Sequence, residues 1–301
     1  MGVTRTDPRP AAGPAAGSTA GSTAGAARRR TPRWWPAAGR ASGGIAVVGF
    51  LALWWLATAT VLAPVGRAPG GEVGTFPTPA QIAAKLVEDG AAFHWRNLSL
   101  TLAEAGQGYL WGNGIALLLA ALVLLAPRAE GVVTQVAVVS YSVPTVAIGP
   151  VVALVVGAPA TGEPSGTAVF LAAMSVFFTT LTGALAGMRA ADRASLDLVT
   201  VYGGNRWHRL VKVQVVAALP SIMTALKIAV PAAFLGAIIG EYVGQVDRGL
   251  GPVMVNAQQS LEVARLWGVA LLSGLVAGVG YVLVGRLGHL LTPWARDGRP
   301  S

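Results

Sequence analysis

Arg206, His208, Arg209 and Lys212 crowd into DLVTVYGGNRWHRLVKVQVVAALP, the stretch from Asp197 to Pro220 that lies between two apolar runs. Cations gathered around a Gly pair do binding chemistry: they face lipid headgroups, or they present a docking surface. Other reactive groups are sparse. His94, His208 and His289 are far apart, and no His-x-x-x-His or acid–His spacing supports a metal site or a general base. Cysteine is absent, which excludes disulfides, zinc–thiolate sites and Cys nucleophiles. There is no Gly-x-x-x-x-Gly-Lys-[Ser/Thr], so no nucleotide-binding P-loop is expected. Gly-x-Ser-x-Gly and His-Glu-x-x-His are missing too, and no paired carboxylates are expected inside the apolar runs. The chain therefore reads as a non-enzyme with no metal and no cofactor of its own.

The elements that position the basic stretch are membrane spans. Of 301 residues, 53% are hydrophobic and 12% charged, against roughly 25% charged in a soluble domain. Uncharged runs cover 41–66, 105–127, 132–162 and 164–188, each beyond the ~18 residues that mark a span. A soluble core does not hide four such runs. Six spans are expected: Gly44–Val65, Ala105–Pro127, Val132–Gly157, Thr167–Met188, Val216–Ile239 and Leu266–Gly285. The fold class is all-α and polytopic, with a transmembrane domain over 44–295.

Seven Arg and one Asp in 1–43 hold most of the net charge of +9. That tail is rich in Ala, Gly, Pro, Ser and Thr and reads as disordered. The run after it is too long for a signal-peptide core and reads as an uncleaved anchor. The charge is thus a matter of membrane topology, and nucleic acid is not an expected partner. Arg128, the Arg189–Lys212 loop, Arg286 and Arg296 fall on the same side as the tail. The other side receives 66–104, where acids outnumber bases, the 158–166 loop and 240–265. Both termini and the basic loop, 190–215, are then cytoplasmic, as is the short tail 296–301. On the outer side FPTPAQIAAKLVEDG reads as an amphipathic helix started by Pro79, with Ile82, Leu86 and Val87 on one face.

Within the basic stretch, Asp197 is expected to cap a short helix ending near Tyr202. Gly203 and Gly204 allow a sharp reversal, and Asn205 caps a second helix. Trp207, Leu210, Val211 and Val215 share one face of it, and Arg206, Arg209 and Lys212 the other. This is an interfacial amphipathic helix obeying the positive-inside rule, or a docking element.

The stretch resembles the cytoplasmic "EAA" loop of permease subunits of bacterial ABC importers: Glu-Ala-Ala, three residues, Gly, nine residues, Ile-x-Leu-Pro. Here it is Asp197-Leu198-Val199, three residues, Gly203, nine residues, Val213-x-Val215-Val216, with Leu219-Pro220 just beyond. YGGNRWHRL, SVPTVAIGPVVALVVG at 142–157 and the segment 240–267 are similar to the nitrate/sulfonate/taurine type, a binding-protein-dependent transport system inner membrane component. The resemblance spans about 75–295. It implies a bacterial plasma-membrane permease, forming a homodimer, for a small anionic solute such as a sulfonate, nitrate or taurine. A separate cytoplasmic ATPase would bind the ATP and dock on Asp197, Leu198, Val199, Gly203, Gly204, Arg206, Trp207, Leu219 and Pro220, and an extracellular binding protein would deliver the solute.

Candidates for lining the path are Pro144, Thr145, Gly149 and Pro150, which interrupt the third span, Ser175 and Thr179 in the fourth, and Glu241 near the outer surface. Lys227 is expected to snorkel or to make a packed contact. An ATP-independent transporter or channel is the alternative and should show intramembrane acids or inverted repeats. A membrane enzyme should show clustered His, Asp or Glu at one face. A scaffold would lack the loop.

Overall fold

The computed structural model describes residues 40–62, 65, 74–244 and 246–296. The chain divides into two units, 1–49 and 50–301. Of the first only the start of a helix is described: residues 1–39 of the tail expected over 1–43 lie outside the described residues, and 40–43 belong to that helix. Among the described residues all regular structure is helical. The α-helices are α1 (Arg40–Ala59), α2 (Pro79–Asp89), α3 (Ala91–Leu125), α4 (Glu130–Ser142), α5 (Thr145–Val156), α6 (Gly166–Arg189), α7 (Arg193–Val201), α8 (Arg206–Arg209), α9 (Val215–Val243), α10 (Leu250–Gln259) and α11 (Val263–Leu291).

Four helical stretches are long and apolar enough to cross a bilayer: α3, α6, the run Arg206–Val243 that ends in α9, and α11. The third expected span is broken. Pro127–Ser142 and Thr145–Val156 meet at 100°, and together they make a fifth candidate. The cause is local: a residue before proline is pushed out of the helical region, and Val143, before Pro144, is extended at φ −79°, ψ 125°. The apolar part of α1, Gly44–Ala59, is shorter than a full span. The second span starts well before the expected Ala105, because α3 runs from Ala91 through Arg96 and Glu104.

Lipid tails are as apolar as leucine, so spans associate through close packing rather than hydrophobic burial. The central trio α3, α6 and α9 is built accordingly. Gly108, Gly112, Ala116 and Ala120 recur every four residues along α3 and are all buried. A Cβ on Gly112 would lie 2.4 Å from the Ala173 carbonyl oxygen, and one on Gly240 of α9 would lie 2.3 Å from the Ala168 Cα. Two apolar clusters fill the trio. One, with Val123, Leu185, Met188 and Leu210, sits at the end carrying the basic loop. The other, with Leu98, Phe234, Leu250 and Val269, sits at the α10 end.

At the α10 end, α2 begins as expected at Pro79, with Thr78 and Gln81 forming a capping box. Ile82 is buried, whereas Val87 of the expected apolar face is 81% exposed. Arg265 of α11 forks onto Asp89, with Nε to Oδ2 at 2.7 Å and Nη2 to Oδ1 at 2.6 Å. The Arg265 hydrogen bonds hold the Asp89 carboxyl below the usual carboxylate range. A lowered folded-state value means stability present above the unfolded-state value, near ~4, and lost as pH falls through the folded one. Asp89→Asn should therefore cost about 1–3 kcal/mol at neutral pH and remove this site's share of acid sensitivity, as read by thermal unfolding against pH. Gly112→Val should lower stability by about 1–3 kcal/mol or more through forced helix separation. Gly114→Val, where a Cβ meets nothing within 4 Å, should leave it nearly unchanged.

Candidate functional site

The basic loop is an ordered structure tied to the ends of the spans. Its first helix, α7, is capped by Asp192, whose Oδ2 accepts from the Ser195 N–H at 3.0 Å and the Ser195 hydroxyl at 3.0 Å. Hydrogen bonds from these backbone and hydroxyl donors keep the Asp192 carboxyl below its usual range. This corrects the expected cap: Asp197 lies inside α7, exposed on its surface. Asp192 lies three residues beyond Arg189, the end of α6, and the helix starts at the first acid able to reach an N–H three residues on.

Helix α7 ends at Tyr202, and Gly203 turns the chain with φ +77°, a left-handed conformation that favours glycine. The Gly204 N–H donates to the Val199 carbonyl at 2.8 Å and closes the turn. Asn205 caps α8 as expected, its Oδ1 accepting from the His208 N–H at 3.1 Å. A π-helical turn, Leu210–Gln214, then joins α8 to α9. That wide turn breaks the expected apolar face. Leu210 is buried and Val215 packs beside it, but Trp207 and Val211 are exposed. Arg206 does more than face solvent: its Nη1 donates at 3.2 Å to the carbonyl of Leu125, the last residue of α3. Carbonyls at a helix C-terminus lack internal partners and attract cations. Arg189, at the end of α6, pairs with Glu130 of α4 at 2.7 Å.

The exposed surface of this element mixes large apolar side chains with charged ones, and Leu198 and Tyr202 share a shallow hollow with His208 and Lys212. Leu198 is 58% exposed, Tyr202 83% and Trp207 57%, with Asp197 among them. Val199, Leu219 and Pro220 are half-buried. Pro220 belongs with Ser221 and Thr224 of α9 and with Thr179 and Thr182 of α6 to an open, hydroxyl-bearing groove between those helices.

The other candidates are scattered. Pro144 and Pro150 are exposed at the broken span, Thr145 is half-buried, and Gly149 is buried against Val243. Ser175 does not reach the groove. Its hydroxyl donates to the Leu171 carbonyl at 2.8 Å, and it wedges against Gly236 between helices. Lys227 stands 4.2 Å over the Tyr281 ring of α11, a packed cation–π contact.

Glu241 overturns two expectations. It is 1% exposed, so it does not line an open path. It also sits beside Glu104 of α3, itself 0% exposed, so a carboxyl pair does lie within the spans. Counting uncharged runs ended the second span at Glu104 and put both acids in outer loops. The available signal was the stripe Asn97, Thr101, Glu104, Gly108 on one face of a single helix. The cap at Asp192 was missed as well.

The family model for a binding-protein-dependent transport system inner membrane component matches residues 112–297. The matched region holds the α7–α8 element, the groove and Glu241. The chain belongs to that family, the permeases of ABC importers. It is 28% identical to a probable ABC transporter permease protein of Haemophilus influenzae, over 75% of this chain and 86% of that one. It is 24% identical to the formylaminopyrimidine transport permease protein ThiX of Halalkalibacterium halodurans, over 75% and 88% of the two chains. A putative aliphatic sulfonates transport permease protein, SsuC of Bacillus subtilis, is 24% identical over 73% of this chain and 78% of its own. The protein is a multi-pass membrane component of an ABC import system.

If Arg206 ties the loop to α3, Arg206→Ala should speed amide hydrogen exchange in 206–214 and in the last turn of α3. The α6 core should stay protected. Unchanged exchange at both places would remove that tie from the account.

Proposed function

We propose that this chain forms the solute path of a bacterial plasma-membrane importer powered by a separate cytoplasmic ATPase, which docks on α7 and the Gly203 turn. The observation that carries this reading is the exposure of Leu198, Tyr202 and Trp207, together with Asp197, on an element bonded through Arg206 to the end of α3. A solvated loop has no need of three large apolar side chains in water, and a bonded element transmits a push. ATP-driven motion of the ATPase moves α7, and α3 and α9 move with it, in the manner of a hinge at Gly203. ATP is bound by the ATPase, and this chain carries no cofactor. Both termini are cytoplasmic, α10 faces outward, and an extracellular binding protein delivers the solute there.

A second copy of the chain completes the path. The groove of Thr179, Thr182, Ser221 and Thr224 is its lining on this copy: it lies open between α6 and α9, and it carries hydroxyl oxygens whose protons, at Thr182 and Thr224, go to carbonyls of their own helices. The solute is small and polar. The sulfonate relative supports an anion such as a sulfonate, taurine or nitrate, and the formylaminopyrimidine relative supports a small heterocycle. The hydroxyl lining suits either, and uptake of labelled taurine against labelled aminopyrimidine separates them.

The test is co-purification of the tagged chain in mild detergent, followed by uptake measurements. An ATPase should be recovered with it in equal amount and lost in Asp197→Lys. Gly203→Pro, which cannot adopt φ +77°, should abolish uptake at normal membrane abundance. A chain that purifies alone, with uptake indifferent to both changes, would instead favour the ATP-independent transporter, whose expected intramembrane acids are present as Glu104 and Glu241.

A further inference from the structure

Glu104 and Glu241 face each other where α3, α6, α9 and α10 converge, and the donors around them are unequally shared. Glu241 is satisfied on both oxygens: Thr101 donates its hydroxyl to Oε1 at 2.5 Å, and the Gly251 N–H donates to Oε2 at 2.6 Å. Glu104 accepts the Ser165 N–H on Oε1 at 2.7 Å. Its Oε2 is buried and receives no donor from the described residues. Thr101, which holds Glu241, lies one turn before Glu104 on the same buried face of α3, and this brings the Glu241 carboxyl beside it. Two carboxylates are both acceptors, so that contact is a hydrogen bond only if one of them carries a proton. No Lys, Arg or His is among the groups bonded to the pair. Two buried negative charges side by side without a cation would repel strongly in a medium of low polarity.

We propose that Glu104 and Glu241 hold one proton between them, and that this protonated pair is a latch seating the α10 hairpin on the membrane core. The seat is cut to fit. The first N–H groups of α10 are received in order: Gly249 by the Asn97 side-chain oxygen at 3.3 Å, Leu250 by Thr101 Oγ1 at 3.0 Å, and Gly251 by Glu241. A Cβ on Gly249 would fall 2.5 Å from the Glu241 carboxyl oxygen, so only glycine lets α10 approach. The proton lets Glu104 join the ring from α3 while keeping the Ser165 N–H at the start of α6. Four helices thereby meet on one hydrogen. The pair is closed off rather than exposed along a route, so it holds its proton in place and does not conduct. The latch is independent of the solute and of ATPase docking.

The experiment is infrared spectroscopy of the full chain in lipid nanodiscs at about pH 8, well above the ordinary carboxylate range of ~4. Wild type should show the C=O stretch of a protonated carboxyl group. It should vanish in Glu104→Gln and in Glu241→Gln, because the amide then supplies the missing donor. No such band in wild type, or the same band in both variants, overturns the shared proton. Hydrogen exchange at Leu250 and Gly251 tests the latch. Protection should persist in Glu104→Gln and fall about tenfold or more in Glu104→Ala, the scale of a lost buried hydrogen bond. Wild-type protection in Glu104→Ala overturns the latch. Should Glu104→Gln fail to accumulate, wild type and Glu241→Gln decide the spectroscopic question.

Discussion

The close approach of α3, α6 and α9 is the constraint on which the rest of the protein depends. With lipid on the outside, burying leucine gains little, so stability comes from packing and from bonds between backbones and small polar groups. Gly112 against the Ala173 carbonyl and Gly240 against Ala168 set the distance between helix axes. At that distance short side chains reach across. Thr180 of α6 donates to the Asn113 side-chain oxygen at 2.5 Å, and Tyr109 of α3 donates to the Leu226 carbonyl of α9 at 3.1 Å. Wider helix spacing would leave these groups unpaired in hydrocarbon, at a cost of several kcal/mol each.

The same spacing governs both ends of the trio. At one end Arg206 closes α3, Arg189 joins α6 to α4, and Leu210 plugs the cluster beneath. At the other, Glu241 and Thr101 close the start of α10, and Ser165 caps α6 while donating to Glu104. Each end consists of helix termini whose orphan groups are met by side chains of a neighbouring span. Displacing the loop end therefore changes hydrogen bonds at the ends of two spans at once.

Much of this was legible in the residues. The all-helical class, the apolar runs, the Pro79 start of α2, the Asn205 cap and the turn at Gly203 follow from composition, capping chemistry and glycine conformation. The family was legible in YGGNRWHRL and the Gly203 spacing. What was not legible involved long-range pairing. Glu104 looks like a loop residue until α9 brings Glu241 beside it, 137 positions along the chain. Asp197 and Asp192 are equally good caps by type, and only the end of α6 at Arg189 decides for Asp192. Ser175 and Thr179 differ by one helical turn, yet one is wedged against Gly236 and the other opens to the groove. The Val132–Gly157 run gave Pro144 as an interruption but not the size of the bend.

The π-helical turn at Leu210–Gln214 has a geometric consequence of its own. Such a turn carries one residue more than the α-helical repeat, and one residue is about 100° of rotation in an α-helix. The rod from α8 into α9 is therefore clocked twice. Its membrane part is phased by the alanines and glycines that mesh with α6, and its outer part by Leu210 and Arg206. The bulge absorbs the difference, as a coupling absorbs misalignment between two shafts. The azimuth of Trp207 is thereby freed from the register of Gly240. Changes in how the loop is oriented then need not disturb how the spans mesh.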